Sequence, residues 1–105
     1  PPRSGGGTDP REPGLNYLIV ARFGPENAER AAAFLRANGV DAMALPRNNE
    51  RLVPVIALRG FPGGEVGGAE ARAFRQEVQR IGRLWRSETG RNIDFDGSYF
   101  EKHQP

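Results

Sequence analysis

A chain of 105 residues, 37% of them hydrophobic, is enough for one small domain and too little for two packed cores. It has no cysteine, which excludes a disulfide framework or a thiolate metal site, and no apolar run approaches the roughly 18 residues of a membrane span. A formal net charge of +2, with arginine supplying every basic residue except Lys102, is too mild a bias to imply nucleic acid.

Residues 1–14, PPRSGGGTDPREPG, offer almost nothing to a core and are expected to be a flexible Pro/Gly-rich linker, with order beginning at Leu15. No basic and apolar targeting segment stands at Pro1, and the expectation is a piece of something longer. LNYLIVARF, residues 15–23, has the length and β-branched content of a central strand. GPEN stops it: Pro25 suits a first helical turn and Glu26 its positive end. Ala28, Ala31, Ala32 and Leu35 then follow helical spacing until Asn38 and Gly39, so a helix is predicted over about 26–38.

VDAMAL, residues 40–45, reads as a short strand, and PRNNER, residues 46–51, as a turn-rich link to a third strand over 52–60. Pro54 cannot donate to a ladder and belongs at a strand start or bulge. The stretch LRGFPGGEVGGAEARAF, residues 58–74, then places five glycines before a second helical pattern. Ala71, Phe74, Val78, Ile81 and Trp85 carry that pattern over about 69–88, and Gly90 ends it. The closing segment has Ile93, Phe95, Tyr99 and Phe100 to dock on the domain, with a weak strand pattern that leaves the fourth strand open.

VARFGPENAERAAAF and ALRGFPGGEVGGAEARAF share an order: strand, Arg, Phe, Gly/Pro turn, Ala-led helix. A twofold strand–helix–strand plan fits an α+β, ferredoxin-like split βαββαβ sandwich, an antiparallel sheet with two helices packed on one face. The same residues, NYLIVARF, NAERAAAFLRANGVDA, VPVIALRGF and AEARAFRQEVQRI, resemble the SPOR domain, or sporulation-related repeat, over roughly residues 16–84.

That resemblance implies a non-catalytic bacterial cell-envelope module on the periplasmic side. It would bind peptidoglycan glycan strands and be tethered to the membrane by a segment outside this sequence. The corresponding division is a linker over 1–14, a SPOR-like domain over 15–100 and a tail over 101–105. Where the family's first strand usually carries Gln, then Gly and Ser before its Phe, this chain reads Ile19, Val20, Ala21, Arg22, Phe23. The alternative is therefore a protein–protein interaction or regulatory domain of the same fold that has lost glycan binding.

Tyr17 and Arg22 on the first strand and Arg59 on the third are the candidate ligand-binding residues, an aromatic and two guanidinium groups suited to sugar rings and hydroxyls. The competing reading packs Tyr17 in the core. Trp85 belongs to the apolar stripe. The glycine stretch has no Gly-Lys-Ser/Thr and no G-x-G-x-x-G, so it reads as a connection rather than a phosphate loop.

Asp94, Asp96, Ser98 and Glu101 are oxygen-rich but too closely spaced for a calcium loop, and read as a turn around Asp96–Gly97. Arg72, Arg75, Arg83 and Arg86 share an arc of the second helix, either a solvated face or a surface for an acidic partner or nucleic acid, the last disfavoured because the strands lack the aromatic residues an RNA-recognition sheet would present. His103 is the only histidine, and Ser4, Ser87 and Ser98 have no evident base partner, so neither catalysis nor a cofactor is expected.

Overall fold

The computed structural model describes residues 10–46, 51–90 and 94–104. In chain order the elements are β1 (Asn16–Phe23), α1 (Pro25–Ala37), β2 (Ala42–Ala44), β3 (Val53–Ala57), α2 (Ala69–Thr89) and β4 (Tyr99–Lys102). The strands form one antiparallel sheet in the order β2-β3-β1-β4. The fold is α+β with a four-stranded antiparallel sheet and two helices, compatible with a ferredoxin-like arrangement. The predicted link over 46–51 lies largely outside the described residues, as does Ile93.

Local chemistry sets the helix limits. Pro25 opens α1 with its φ already helical and no N–H to leave unpaired. Beyond the helix, Gly39 takes φ 92°, donates to the Arg36 carbonyl and lets Val40 reach back to Leu35. On α2 the same device is Gly90, at φ 70° with its N–H on the Arg86 carbonyl.

Alanines 28, 31 and 32 of α1 are fully buried, and their small side chains bring the helix close to the sheet. From α2 come Val78, Ile81 and Trp85, meeting Leu18, Val20, Phe23, Val53, Val55 and Ala57 of the sheet. Trp85 is part of this core. Phe23 and Phe34 meet its ring edge-on at 5.9 and 5.5 Å, and Phe95 stacks on it at 6.3 Å.

Two irregularities shape the sheet. The β1–β3 register slips between Ile19 and Ala21, a bulge. Strict alternation from Leu18 and Val20 would send Arg22 into the helix-side core and Phe23 out. The extra residue reverses this parity, so Phe23 is buried under the helices and Arg22 emerges on the opposite face. Pro54, at the second position of β3, accepts from the Leu45 N–H. A strand residue's N–H and C=O point the same way, so the donor Pro54 lacks would have faced β2 just past its last residue, and the β1 ladder is untouched.

The glycine stretch is longer than the turn after β1 because it carries the chain back to β1. Phe61 exchanges both backbone bonds with Asn16, at 2.8 and 2.9 Å, and a single 3-10 turn at Gly63–Glu65 then leads into α2. Gly60 is required by close approach: a Cβ there would lie 2.8 Å from Leu15 Cδ1 and 2.9 Å from Tyr17 Cζ. Gly60→Ala is expected to cost about 1–2 kcal/mol, since the Leu15 tip can swing but the Tyr17 ring is packed. Urea unfolding with an unchanged midpoint would contradict this.

Candidate ligand-binding face of the sheet

Because both helices pack on one side, the other side of the sheet presents a row defined by the ladders. Met43, Ile56, Ile19 and Tyr99 lie across all four strands, with Tyr17 opposite Glu101 and Arg22 opposite Pro54. Its centre is apolar: Tyr17, Ile19 and Ile56 are buried, with Leu15 and Leu45 packed against them.

The three residues expected from sequence occupy different settings. Tyr17 is 3% exposed, its ring against Gly60 and its hydroxyl accepting the Glu12 N–H at 2.8 Å. Arg22 is half-buried and reaches over the face to β4, where Nη2 donates to the Tyr99 hydroxyl at 2.8 Å. Its guanidinium carbon lies 5.8 Å from the Tyr99 ring centroid.

Arg59 is not on the third strand, which stops at Ala57 instead of continuing to residue 60. It donates to Glu70 of α2 at 2.7 Å and lies 4.8 and 5.6 Å over the rings of Phe61 and Phe74. The structure thus separates Arg59 from the other two and brings Arg22 together with Tyr99. Tyr99, 42% exposed, is the contributor that sequence reading took only for docking area.

Of residues 1–14, read as linker, 1–9 lie outside the described residues, while Glu12 and Gly14 are hydrogen-bonded back to the domain. Besides the Glu12 bond to Tyr17, the Gly14 N–H donates to the His103 carbonyl and the His103 N–H to Leu15.

The arginine arc of α2 divides in two. Arg83 and Arg86 approach the carboxylates of Asp96 and Asp94, each at 3.6 Å, while Arg75 Nε donates to the Ser98 carbonyl at 2.8 Å. The acidic partner of that half of the arc is the chain's own D-F-D-G-S segment. Asp94 Oδ1 also accepts the Asp96 N–H, and Ser98 N–H closes the turn on Phe95. Among the described residues no cluster of His, Cys, Asp or Glu is placed to hold a metal. Elsewhere on α2, a bidentate hydrogen bond from Arg80 holds the Glu77 carboxyl below the usual carboxylate range, and Glu77 raises Arg80 in turn. That pairing is present above the ordinary carboxylate range and lost as pH falls through the lowered value, a small term for so exposed a pair.

No protein family's sequence model matches this chain, and neither a curated protein nor a solved structure does.

Proposed function

We propose that this domain is a non-catalytic, SPOR-like binding module of a bacterial cell-envelope protein that takes a peptidoglycan glycan strand on its helix-free sheet face. We read its strand order as the ferredoxin-like split βαββαβ plan. The observation that carries the reading is the Arg22–Tyr99 pair, an exposed aromatic ring beside a hydrogen-bonded guanidinium on the face left bare of helices. An aromatic face packs against the C–H side of a sugar ring, and guanidinium N–H groups donate to its hydroxyls. The envelope setting, on the periplasmic side and tethered through a segment outside this sequence, rests on the resemblance and on the Pro/Gly-rich composition of residues 1–14.

Co-sedimentation with purified sacculi, with and without stem peptides, tests this. The domain is expected to pellet with stripped sacculi, and Tyr99→Ala to weaken that binding by about fivefold to tenfold, the scale of one aromatic contact and one hydrogen bond. Absence of binding to either preparation would remove the glycan ligand.

A second reading, a protein-interaction domain of the same fold that no longer binds glycan, is favoured by the apolar centre of this face. Tyr17, Ile19 and Ile56 are at most 3% exposed, so they offer a sugar ring almost no surface, and the Tyr17 hydroxyl is already engaged by Glu12. Under that reading Tyr99→Ala leaves sacculus binding unchanged because wild type has none.

A further inference from the structure

The open edge of β4 carries an inference separate from the sheet face. Among the described residues β4 is the last strand of the sheet, bonded to β1 on one side only. The His103 N–H donates to Leu15, and Asn16 on β1 turns its backbone toward Phe61, so bonded pairs alternate along the ladder. By that alternation Tyr99 and Glu101 face β1, whereas the N–H and C=O of Phe100 and Lys102 face outward. The preceding outward carbonyl, Ser98, is already taken by Arg75 Nε, which places this guanidinium at the edge itself.

Beside the edge runs a groove of about 370 Å³ between Val66 and Gly67 of the glycine stretch and Ser98 to Phe100. Its apolar walls are Val66 and Phe100, and its charges are Arg72 and Arg75. These two arginines differ from their neighbours. Arg59, Arg80, Arg83 and Arg86 each pair with a carboxylate, whereas Arg72 donates to the Gly67 carbonyl and Arg75 to the Ser98 and Asp96 carbonyls. A backbone carbonyl bonds a guanidinium without neutralising it, so two positive charges remain, one turn apart, with exposed Lys102 further along the strand. Ser98 borders the groove, and its buried hydroxyl has no hydrogen-bond partner.

We propose that an extended acidic peptide segment adds to this edge, pairing with the backbone of Phe100 and Lys102 while its carboxylates meet Arg72, Arg75 and Lys102. Strand addition supplies main-chain bonds that any sequence can make, and the cations select the acidic one. An aliphatic residue two positions from an acid would share its face of the strand and seat against Val66 and Phe100. A second copy is a poor occupant, because pairing two β4 edges sets these cations against each other.

The test is an amide NMR titration with an N-acetylated peptide that carries Glu, Val and Glu at every second position, on one face of the strand, with Thr between them. Controls are the same peptide with Lys in place of Glu and the Glu peptide N-methylated at alternate amides. Saturable shifts and slowed hydrogen exchange are expected at Phe100 and Lys102, with both controls failing to bind. Arg72→Glu and, independently, Lys102→Glu should each weaken the acidic peptide about tenfold or more, and both sites are exposed enough to spare the fold. Equal binding of the N-methylated peptide, no saturable shift, or shifts confined to Ile19 and Tyr99 would overturn the proposal. So would shifts at Phe100 and Lys102 produced by glycan fragments and not by the peptide. Sacculus binding scored with Tyr99→Ala is a different readout, so either reading can fail alone.

Discussion

Phe95→Ala is expected to lower the stability of this domain by about 3–5 kcal/mol, the range for truncating a fully buried phenylalanine. Phe95 has 0% exposure, stacks on Trp85 at 6.3 Å and meets Phe23 edge-on at 6.4 Å. Small domains hold roughly 5–15 kcal/mol in total, so one side chain accounts for a large share. At about 4–8 °C per kcal/mol, the melting temperature should fall by on the order of 12 °C or more. Trp85 is the only tryptophan, so its fluorescence reports the site directly and should shift to longer wavelength as water reaches the indole. A loss under about 1 kcal/mol would mean that Phe95 is not the plug that its burial implies. The consequence reaches β4, whose four residues depend on the preceding turn being docked on α2.

The parts of this fold that sequence conveys are those whose signal is local. β1, α1 and α2 are found within a residue or two of their predicted limits, because an apolar run, a helical stripe and stops at Gly39 and Gly90 each act within a few residues. β4 has no such signal. YFEK becomes a strand because Leu18 and Tyr17 stand opposite Phe100 and Glu101, a pairing across most of the chain. The candidate site was half legible for the same reason. Arg22 could be named from its strand, but its face depends on a bulge that IVARF does not announce, and Tyr99 becomes its partner only through the β1–β4 register. Arg59 was misplaced because an apolar, Arg-terminated run does not say where its ladder ends. The arginine arc was seen, but its division between the acidic turn and the β4 edge depends on where Asp94, Asp96 and Ser98 dock.

Gly82→Ala sets two effects against each other, and their magnitudes decide the sign. In an exposed helix interior the exchange would stabilise by about 0.8–1 kcal/mol, since glycine is the poorer helix former. Here, in the middle of α2, a Cβ at Gly82 would stand 2.6 Å from the Phe95 backbone N and 2.7 Å from Phe95 Cβ and Cγ. No atom there is the tip of a flexible chain, so relief requires moving the 94–98 turn as a unit. Overpacking of this kind costs about 1–3 kcal/mol, occasionally more, which exceeds the helical gain. The expected result is a net loss in urea unfolding; a stabilised variant would show that the turn yields without penalty. Combining Gly82→Ala with Phe95→Ala supplies the sharper test. Both act on one contact, so the double variant should be less unstable than the two losses added, with a coupling of about 0.5–3 kcal/mol. Displacing the turn also withdraws the Asp94 and Asp96 carboxylates from Arg86 and Arg83 and the Ser98 carbonyl from Arg75. The arginines would then be redistributed along the β4 edge, so Gly82→Ala should change acidic-peptide binding while leaving the Arg22–Tyr99 end of the sheet in place. Gly82 therefore supports the edge from beneath: its missing side chain is the space in which the Phe95 backbone rests.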